Sequence, residues 1–369
     1  MARAGLGRDW ECVFANDNDA EKAAAYELNW GPGTLRLGDI EKVGIEEIPR
    51  EIDLAWASFP CQDLSLAGNQ AGLRASRSGT FWPFWRLISA SASARSAPKI
   101  VALENVCGAI SSHGGADFQA ICGALSKTGY RFGAIVIDAV RFVPQSRPRL
   151  FIIAVHEDAP IPSEITSHGP NAEITPGSLE AAHNRLPSAI RAQWVWWNVP
   201  LPHSAKRTLS AIVEGAPQGV AWNESAATAK LLEMMSPANR RKVAQAASFR
   251  ARIYGTIYKR TRPDQTGKRR QHAEVRFDGI AGCLRTPTGG SSRQTLIEVT
   301  GHAIRTRLLS PREAARLMGL PDSYRLPAKY NAAYHLAGDG VVVPVVRHLA
   351  RNIFEPLIEA ARAERTDAA

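Results

Sequence analysis

Three short strings in this 369-residue chain carry residue types suited to covalent chemistry. Phe59-Pro60-Cys61-Gln62 places a thiol directly after the apolar run 52–59. Glu104-Asn105-Val106 places a carboxyl group after the apolar run 100–103, and Gln145-Ser146-Arg147-Pro148-Arg149 places two guanidinium groups ahead of the apolar run 150–155. A thiol becomes a nucleophile where cations or backbone dipoles favour its thiolate. A carboxyl group can deliver a proton, and guanidinium groups stabilise developing negative charge. Taken singly, each has an ordinary reading: a half-buried structural cysteine, a surface carboxylate, two solvent-facing arginines. Taken together, at the ends of successive apolar runs, they supply a nucleophile, an acid and an anion clamp on one face.

The elements that must position these groups are legible in the first 155 residues, which alternate short apolar runs with helical stretches. Runs 12–16, 52–59, 100–103, 132–139 and 150–155 read as strands, and 20–28, 84–92 and 118–128 as helices. Strands separated by helices form βαβ units and a mostly parallel sheet. Chemistry in such sheets gathers at the carboxyl ends of the strands, where Asn16-Asp17-Asn18-Asp19, Cys61 and Glu104 fall. From about His156 the periodicity fades, and Trp194, Trp196 and Trp197 cluster as the expected packing core of a smaller domain. Ser310-Pro311 then reads as an N-cap and first position of a helix that stops at Gly319. A final apolar helix is expected over 341–354, with a fraying polar tail from 360.

Composition narrows the class. Hydrophobic residues at 45% and charged residues at 22% exclude wholesale disorder. The length suits two domains of roughly 100–200 residues each. Cys12, Cys61, Cys107, Cys122 and Cys283 are scattered and contain no CxxC pair. That speaks against a disulfide framework or a zinc site and fits a reducing cytosol. No apolar run reaches the ~20 residues of a membrane span, and the opening MARAGLGRDWE has no apolar signal-peptide core. Net charge is +10, from 35 Arg and 10 Lys against 35 acids. Between Arg240 and Arg293, 14 Lys/Arg face three acids, a net of +11 that leaves −1 for the remainder. Such a block is the footprint of polyanion binding, although a plain solvated basic surface has the same charge.

On these strings the chain resembles the DNA cytosine-5 methyltransferases of bacterial restriction-modification type, over nearly its whole length. The PCQ, ENV and QxRxR strings are followed, in the family's order, by SPREAARLMGLPD (310–322) and by GDGVVVPVV (338–346), which looks like the family's GNxVxxPV signature. The resemblance implies an α/β fold: a Rossmann-like S-adenosylmethionine-dependent methyltransferase sheet with a smaller DNA target-recognition domain. The implied domains are 1–157, catalytic and cofactor-binding; 158–298, target recognition; and 299–369, a return to the catalytic domain with a C-terminal helix.

The resemblance also assigns roles. Cys61 would add to C6 of a cytosine flipped out of duplex DNA, so that C5 can attack the methyl of S-adenosyl-L-methionine and leave S-adenosyl-L-homocysteine. Glu104 would protonate N3, and Arg149, with Arg147, would hold the O2 side. Asp17 would accept from the cofactor's ribose and Asp39 from its adenine amino group. Asn18, Ile40 and Phe81 would lie around the adenine, and Asp339 near the methionine end. Segment 62–80 looks like the family's mobile loop, with Gln62, Arg74 and Arg77 toward DNA. Arg285 and Arg293, in LRTPTGGSSRQ (284–294), would meet phosphate or the flipped sugar. The implied partners are double-stranded DNA and a cognate restriction endonuclease, with no metal and no membrane, in a monomer of the cytoplasm and nucleoid. One departure is large. The family opens with a strand and a glycine-rich FxGxGG turn, whereas this chain starts at a segment resembling the stretch just after that turn. The sheet is therefore expected to be incomplete at its first strand. Three accounts stand: a start codon read too late, a piece supplied by a separate polypeptide, or a degenerate relative that binds DNA without catalysis.

Overall fold

The computed structural model describes residues 1–59, 80–203, 207–263, 267–285 and 293–367. The chain opens with α1 (Ala2–Leu6), β1 (Ala15–Asp17), α2 (Ala20–Trp30) and β2 (Leu35–Leu37). It continues with β3 (Leu54–Ser58), α3 (Phe81–Ser93), β4 (Ile100–Val106), α4 (Ala116–Lys127), β5 (Tyr130–Asp138) and β6 (Pro148–His156). Strands β3, β4, β6 and β5 form one sheet in that order, while β1 and β2 form a separate parallel pair.

The uninterrupted apolar runs become the middle of this sheet because both of its faces are covered. Along β4, Ile100 and Ala102 enter one core with the C-terminal helices, and Val101 and Leu103 enter the other with α3 and α4. Strand β6 alternates in the same way, with Phe151, Ile153 and Val155 opposite Leu150, Ile152 and Ala154. The expected parallelism holds only for β3 with β4, since β6 runs antiparallel to both β4 and β5. The connection 139–147 between β5 and β6 is too short for a crossover helix, which takes a dozen or more residues, so the chain must turn back on itself.

Next come β7 (Thr166–Ser167), α5 (Gly177–Asn184), α6 (Ser188–Arg191) and β8 (Trp196–Trp197). This stretch does not found a second domain. Phe132 of β5 donates to Gln193 and accepts from Val195 through the backbone, at 3.0 and 2.7 Å. Trp194 packs on Phe118 and Phe132, and Trp197 lies in the sheet's own core. Gly133 is obligatory here, because Trp197 and the Val195 carbonyl occupy the place of any Cβ. The tryptophan cluster thus covers the outer edge of the first sheet, which corrects both its expected role and the boundary at 157/158.

The smaller domain is built from α7 (Ser225–Glu233), α8 (Pro237–Ser248), β9 (Arg252–Pro263), β10 (Arg269–Arg276), β11 (Thr295–Thr300) and β12 (Ala303–Leu308). Its antiparallel sheet, ordered β10-β9-β11-β12, buries Ile257, Val275, Ile297 and Val299 against Val243 and Ala246 of α8. Pairing runs on to Leu308, so the expected boundary at 298/299 would cut β11 in two. The chain then returns through α9 (Pro311–Leu317), α10 (Tyr330–Asp339) and α11 (Val343–Leu349). A π-helical turn (Ala350–Phe354) leads into α12 (Glu355–Asp367), which is helical where a fraying tail was expected and buries Leu357 and Ile358. Ser310 closes a capping box with Glu313, as the sequence pattern asks. Among the described residues no helix is long and apolar enough to cross a membrane.

Candidate active site

Glu104 and Arg149 meet on neighbouring strands near the end of β4. The register sets Val106 against Arg149, and the Arg149 Nε lies 3.1 Å from the Glu104 carboxylate. Glu104 is 6% exposed. Beside it, Asn105 donates to the Phe59 carbonyl at 2.9 Å and accepts from the Val106 amide at 2.8 Å. Asn105 therefore fixes the point at which the chain leaves β3, two residues ahead of Cys61. Cys61 itself, with Gln62, Arg74 and Arg77, lies outside the described residues.

Arg147 does something other than expected. It is 2% exposed and donates to the carbonyls of Leu284 (2.9 Å), Gly338 (2.8 Å) and Gly340 (2.8 Å), with Cys283 Sγ at 3.3 Å. Burial, and then the neighbouring Arg149, push its pKa below the usual guanidinium value. Strand-like alternation sets Arg147 and Arg149 on one side, but the first is sealed by main chain and only the second reaches the carboxylate. The expected substrate contact by Arg147 is corrected to a buried clamp. Gln145, fully buried, works in parallel: it donates to the Leu317 carbonyl and accepts from the Leu284 amide. Asp138 holds the turn between them by accepting from the Arg147 amide at 2.7 Å.

A second group of expected residues gathers at the ends of β1 and β2. Asp17 ends β1 and Asp39 follows β2, and the two ends are locked by Gly38 N–H to the Asp17 carbonyl and by Asn16 Nδ2 to the Gly38 carbonyl. Asp339 lies 2.8 Å from Lys22 Nζ. Burial works against the Lys22 charge, but the Asp339 hydrogen bond and the fields of Asp339, Asp17 and Asp19 outweigh it and raise its pKa. The Met1 amine is buried nearby, its pKa lowered by that burial against the pull of Asp17. Asn18 and Asp39 are exposed and Ile40 is half-buried. Phe81 is not available to a ligand: at 1% exposure it packs among Phe59, Trp82 and Trp85, because it opens α3 on its apolar face.

The model of the C-5 cytosine-specific DNA methylases matches residues 1–355. The chain belongs to this family. It is 26% identical over 345 residues to the type II methyltransferase M.HhaI of Haemophilus parahaemolyticus, covering 93% of this chain and 87% of that one. It is 25% identical over 355 residues to M.Bsp6I of a Bacillus strain, covering 95% and 93%. Among solved structures, a mutant form of the Spodoptera frugiperda DNMT2 overlays with a TM-score of 0.58 at 15% identity, covering 95% of this chain and 94% of that one. The Entamoeba histolytica methyltransferase EhMeth gives 0.59 at 13%, covering 93% and 90%. The protein is thus an S-adenosylmethionine-dependent cytosine C5 methyltransferase with DNA as its substrate, on a Rossmann-like methyltransferase fold.

The donor set at the β1 and β2 ends fits the methylase's cofactor. Carboxylates at 17, 39 and 339 suit hydroxyl, amino and sulfonium groups, and Gly38 and Gly340 place no side chain over the strand ends. On the second sheet, part of the basic block lies on the β9–β10 hairpin, with Arg260, Lys268, Arg269 and Arg270 exposed, and part on α8, with Arg240, Arg241 and Lys242. Arg285 is exposed, whereas Arg293 is half-buried, bonded to Asn331 at 2.5 Å and set over the Tyr330 ring. Sequence reading missed Lys22, Asn105 and Cys283. Lys22 was findable as the cation one turn beyond the acids 17–19, and Asn105 as the middle of ENV. Nothing in the sequence marked Cys283, which lies between Arg147 and, at 4.0 Å, Arg149.

Proposed function

We propose that this methylase works through a covalent Cys61 adduct on a cytosine swung out of duplex DNA. The reading rests on one observation: a nearly buried Glu104 carboxylate paired with Arg149, beside an Asn105 that grips the strand end leading to Cys61. Cys61 Sγ forms a bond to C6, and the ring's electron pair moves toward C5 as N3 takes a proton from the acid form of Glu104, which takes it back as C5 is alkylated. Arg149 holds, on the O2 side, the charge not quenched at N3. Bound S-adenosylmethionine supplies an electrophilic methyl group to C5. A base then removes the C5 proton, the C6–S bond breaks, and Cys61 leaves as thiolate. Asp17, Asp39 and Asp339 orient the cofactor's ribose, adenine amino group and methionine end.

In the same reading, residues 1–203 with 309–367 form the catalytic body, and the sheet within 225–308 reads the target, its basic hairpin meeting phosphates and base edges. The enzyme acts as a monomer in the cytoplasm, on nucleoid DNA, as the modification partner of a restriction endonuclease. The test is incubation with 5-fluorocytosine duplex and labelled cofactor. A denaturation-resistant adduct that disappears in Cys61→Ser supports the mechanism. DNA retention without any adduct supports a binding module instead, and would end the catalytic reading.

A further inference from the structure

Alternate residues of the β9–β10 hairpin face opposite ways. Ile257, Ala273 and Val275 point one way and are buried with α8. Tyr258 and Arg260 of β9 point the other way, set against Glu274 and His272 of β10 respectively. This second face rises from the rim of the catalytic site. Beyond β10, Ala281 accepts from the Ser146 amide at 3.0 Å and donates to the Pro144 carbonyl at 2.7 Å, just ahead of Arg147. Arg276, on the same face and bonded to Asp278, also lies in the field of Asp138. From Arg276 to His272 is about 13 Å along the strand, so the Arg260–His272 rung stands further out.

The guanidinium of Arg260 is held but not used. It lies over the Tyr258 ring, 4.6 Å from the centroid, with its Nε 3.9 Å from the Glu274 carboxylate. The Tyr258 hydroxyl donates to that carboxylate at 2.7 Å, which fixes ring and acid together. Among the described residues no hydrogen bond takes up a donor of Arg260, whose side chain is 45% exposed. A cation meant for phosphate gains nothing from such a setting. The carboxylate beside it weakens its pull on a phosphate anion, yet leaves its planar N–H fork able to bond neutral acceptors.

We propose that Arg260 determines target specificity, its fork reading O6 and N7 of one guanine from the major groove. A two-stranded ribbon fits that groove, and guanine is the base that offers a guanidinium fork two acceptors side by side. Tyr258 and Glu274 hold the fork in the orientation it needs before DNA arrives, which lowers the entropy lost on binding. The proposal rests on the reading that the sheet within 225–308 meets the target duplex. It commits the target to a guanine at one fixed position relative to the methylated cytosine.

The test enriches a randomised duplex library on the full chain with S-adenosylhomocysteine and sequences what is retained. The parent should fix at least one guanine. Arg260→Ala and Arg260→Lys should both lose the preference at one such guanine by about 5- to 100-fold, leaving the other positions unchanged. Arg260→Lys keeps the charge, so its binding should keep the parent's salt dependence. Placing 7-deazaguanine at that position removes N7, and should weaken the parent but not Arg260→Ala. Retained sequences without a fixed guanine would overturn the proposal. So would an Arg260→Lys variant with the parent's preference, or an Arg260→Ala variant that weakens all sequences alike and lowers the salt slope by about one, as a phosphate contact does. A parent that retains no duplex would sink the underlying reading of the sheet as well. The Cys61 adduct reads chemistry and this enrichment reads bound sequence, so the two proposals fail separately.

Discussion

Replacing Arg147 by methionine separates scaffolding from chemistry. The side chain bonds three main-chain carbonyls at 2.8–2.9 Å, and among the described residues no carboxylate touches it. Methionine retains much of the volume but leaves three acceptors without a donor. At about 1–3 kcal/mol each, that is about 3–9 kcal/mol. Relief from burying a guanidinium without an ionic partner returns several kcal/mol, so a net loss of about 2–5 kcal/mol is expected. For a chain of this size that is a fall of about 4–10 °C in melting temperature, read by calorimetry. Because two of the carbonyls belong to Gly338 and Gly340, KM for the cofactor should rise more than kcat falls. Arg149→Met, which strips Glu104 of its partner, should also lower the melting temperature, but with kcat lower by at least about a hundredfold and KM for the cofactor near the parent's. If Arg147→Met melts within about 1 °C of the parent and loses only kcat, Arg147 touches substrate and the clamp assignment is wrong.

Glu104→Gln keeps the shape of the pair but not its proton, and should lower kcat by about 10²–10⁴ while duplex retention in a gel shift stays near the parent's. Glu313→Ala removes the partner of the fully buried Arg307, at 2.6 Å, together with half of the α9 capping box; a loss of about 3–5 kcal/mol in urea unfolding is expected. Stability should also depend on pH through His348, whose pKa burial holds down against the Pro200 carbonyl that accepts from its ring. The unfolded chain then binds a proton that the folded chain refuses. This contribution is whole above about pH 6.5 and is lost as the pH falls from there through the folded value. His348→Gln should flatten the melting temperature between about pH 7 and 5, and an unchanged slope would remove His348 from the account.

The catalytic half was legible because each chemical string borders an apolar run: Cys61 and Glu104 follow theirs, at a strand's carboxyl end, and Arg149 precedes its own, at the amino end of the antiparallel β6. On this ground Glu104 and Arg149 were expected on one face, and they meet there across β4 and β6. Arg147 does not join them, because spacing tells which face a residue shares and not whether main chain from well over a hundred residues away closes over it. The tryptophans failed for a related reason. Their clustering signals a core, but only tertiary pairing of 193–195 with Phe132 decides whose core it is. Phe81 was set beside the adenine by the resemblance alone; its place on the apolar side of α3, facing Phe59 and Trp85, buries it in the core instead. The antiparallel β6 was recoverable in principle from the short span 139–147, which no crossover can fit.

The buried guanidinium of Arg147 also explains why the site is assembled from segments so distant in sequence. Leu284 follows the recognition hairpin, Gly338 and Gly340 flank Asp339 at the cofactor end, and Arg147 stands two residues from Arg149. One side chain thus ties the segment after β10, the turn after α10 and the start of β6 together, and Cys283 fills the space between its guanidinium and that of Arg149. A shift of the 283–284 segment when the hairpin meets DNA cannot leave Arg147 in place, since its bonds there are short and its surroundings are close-packed. The Glu104–Arg149 pair thus stands two residues along the chain from a side chain that ties segment 283–284 to the 338–340 turn.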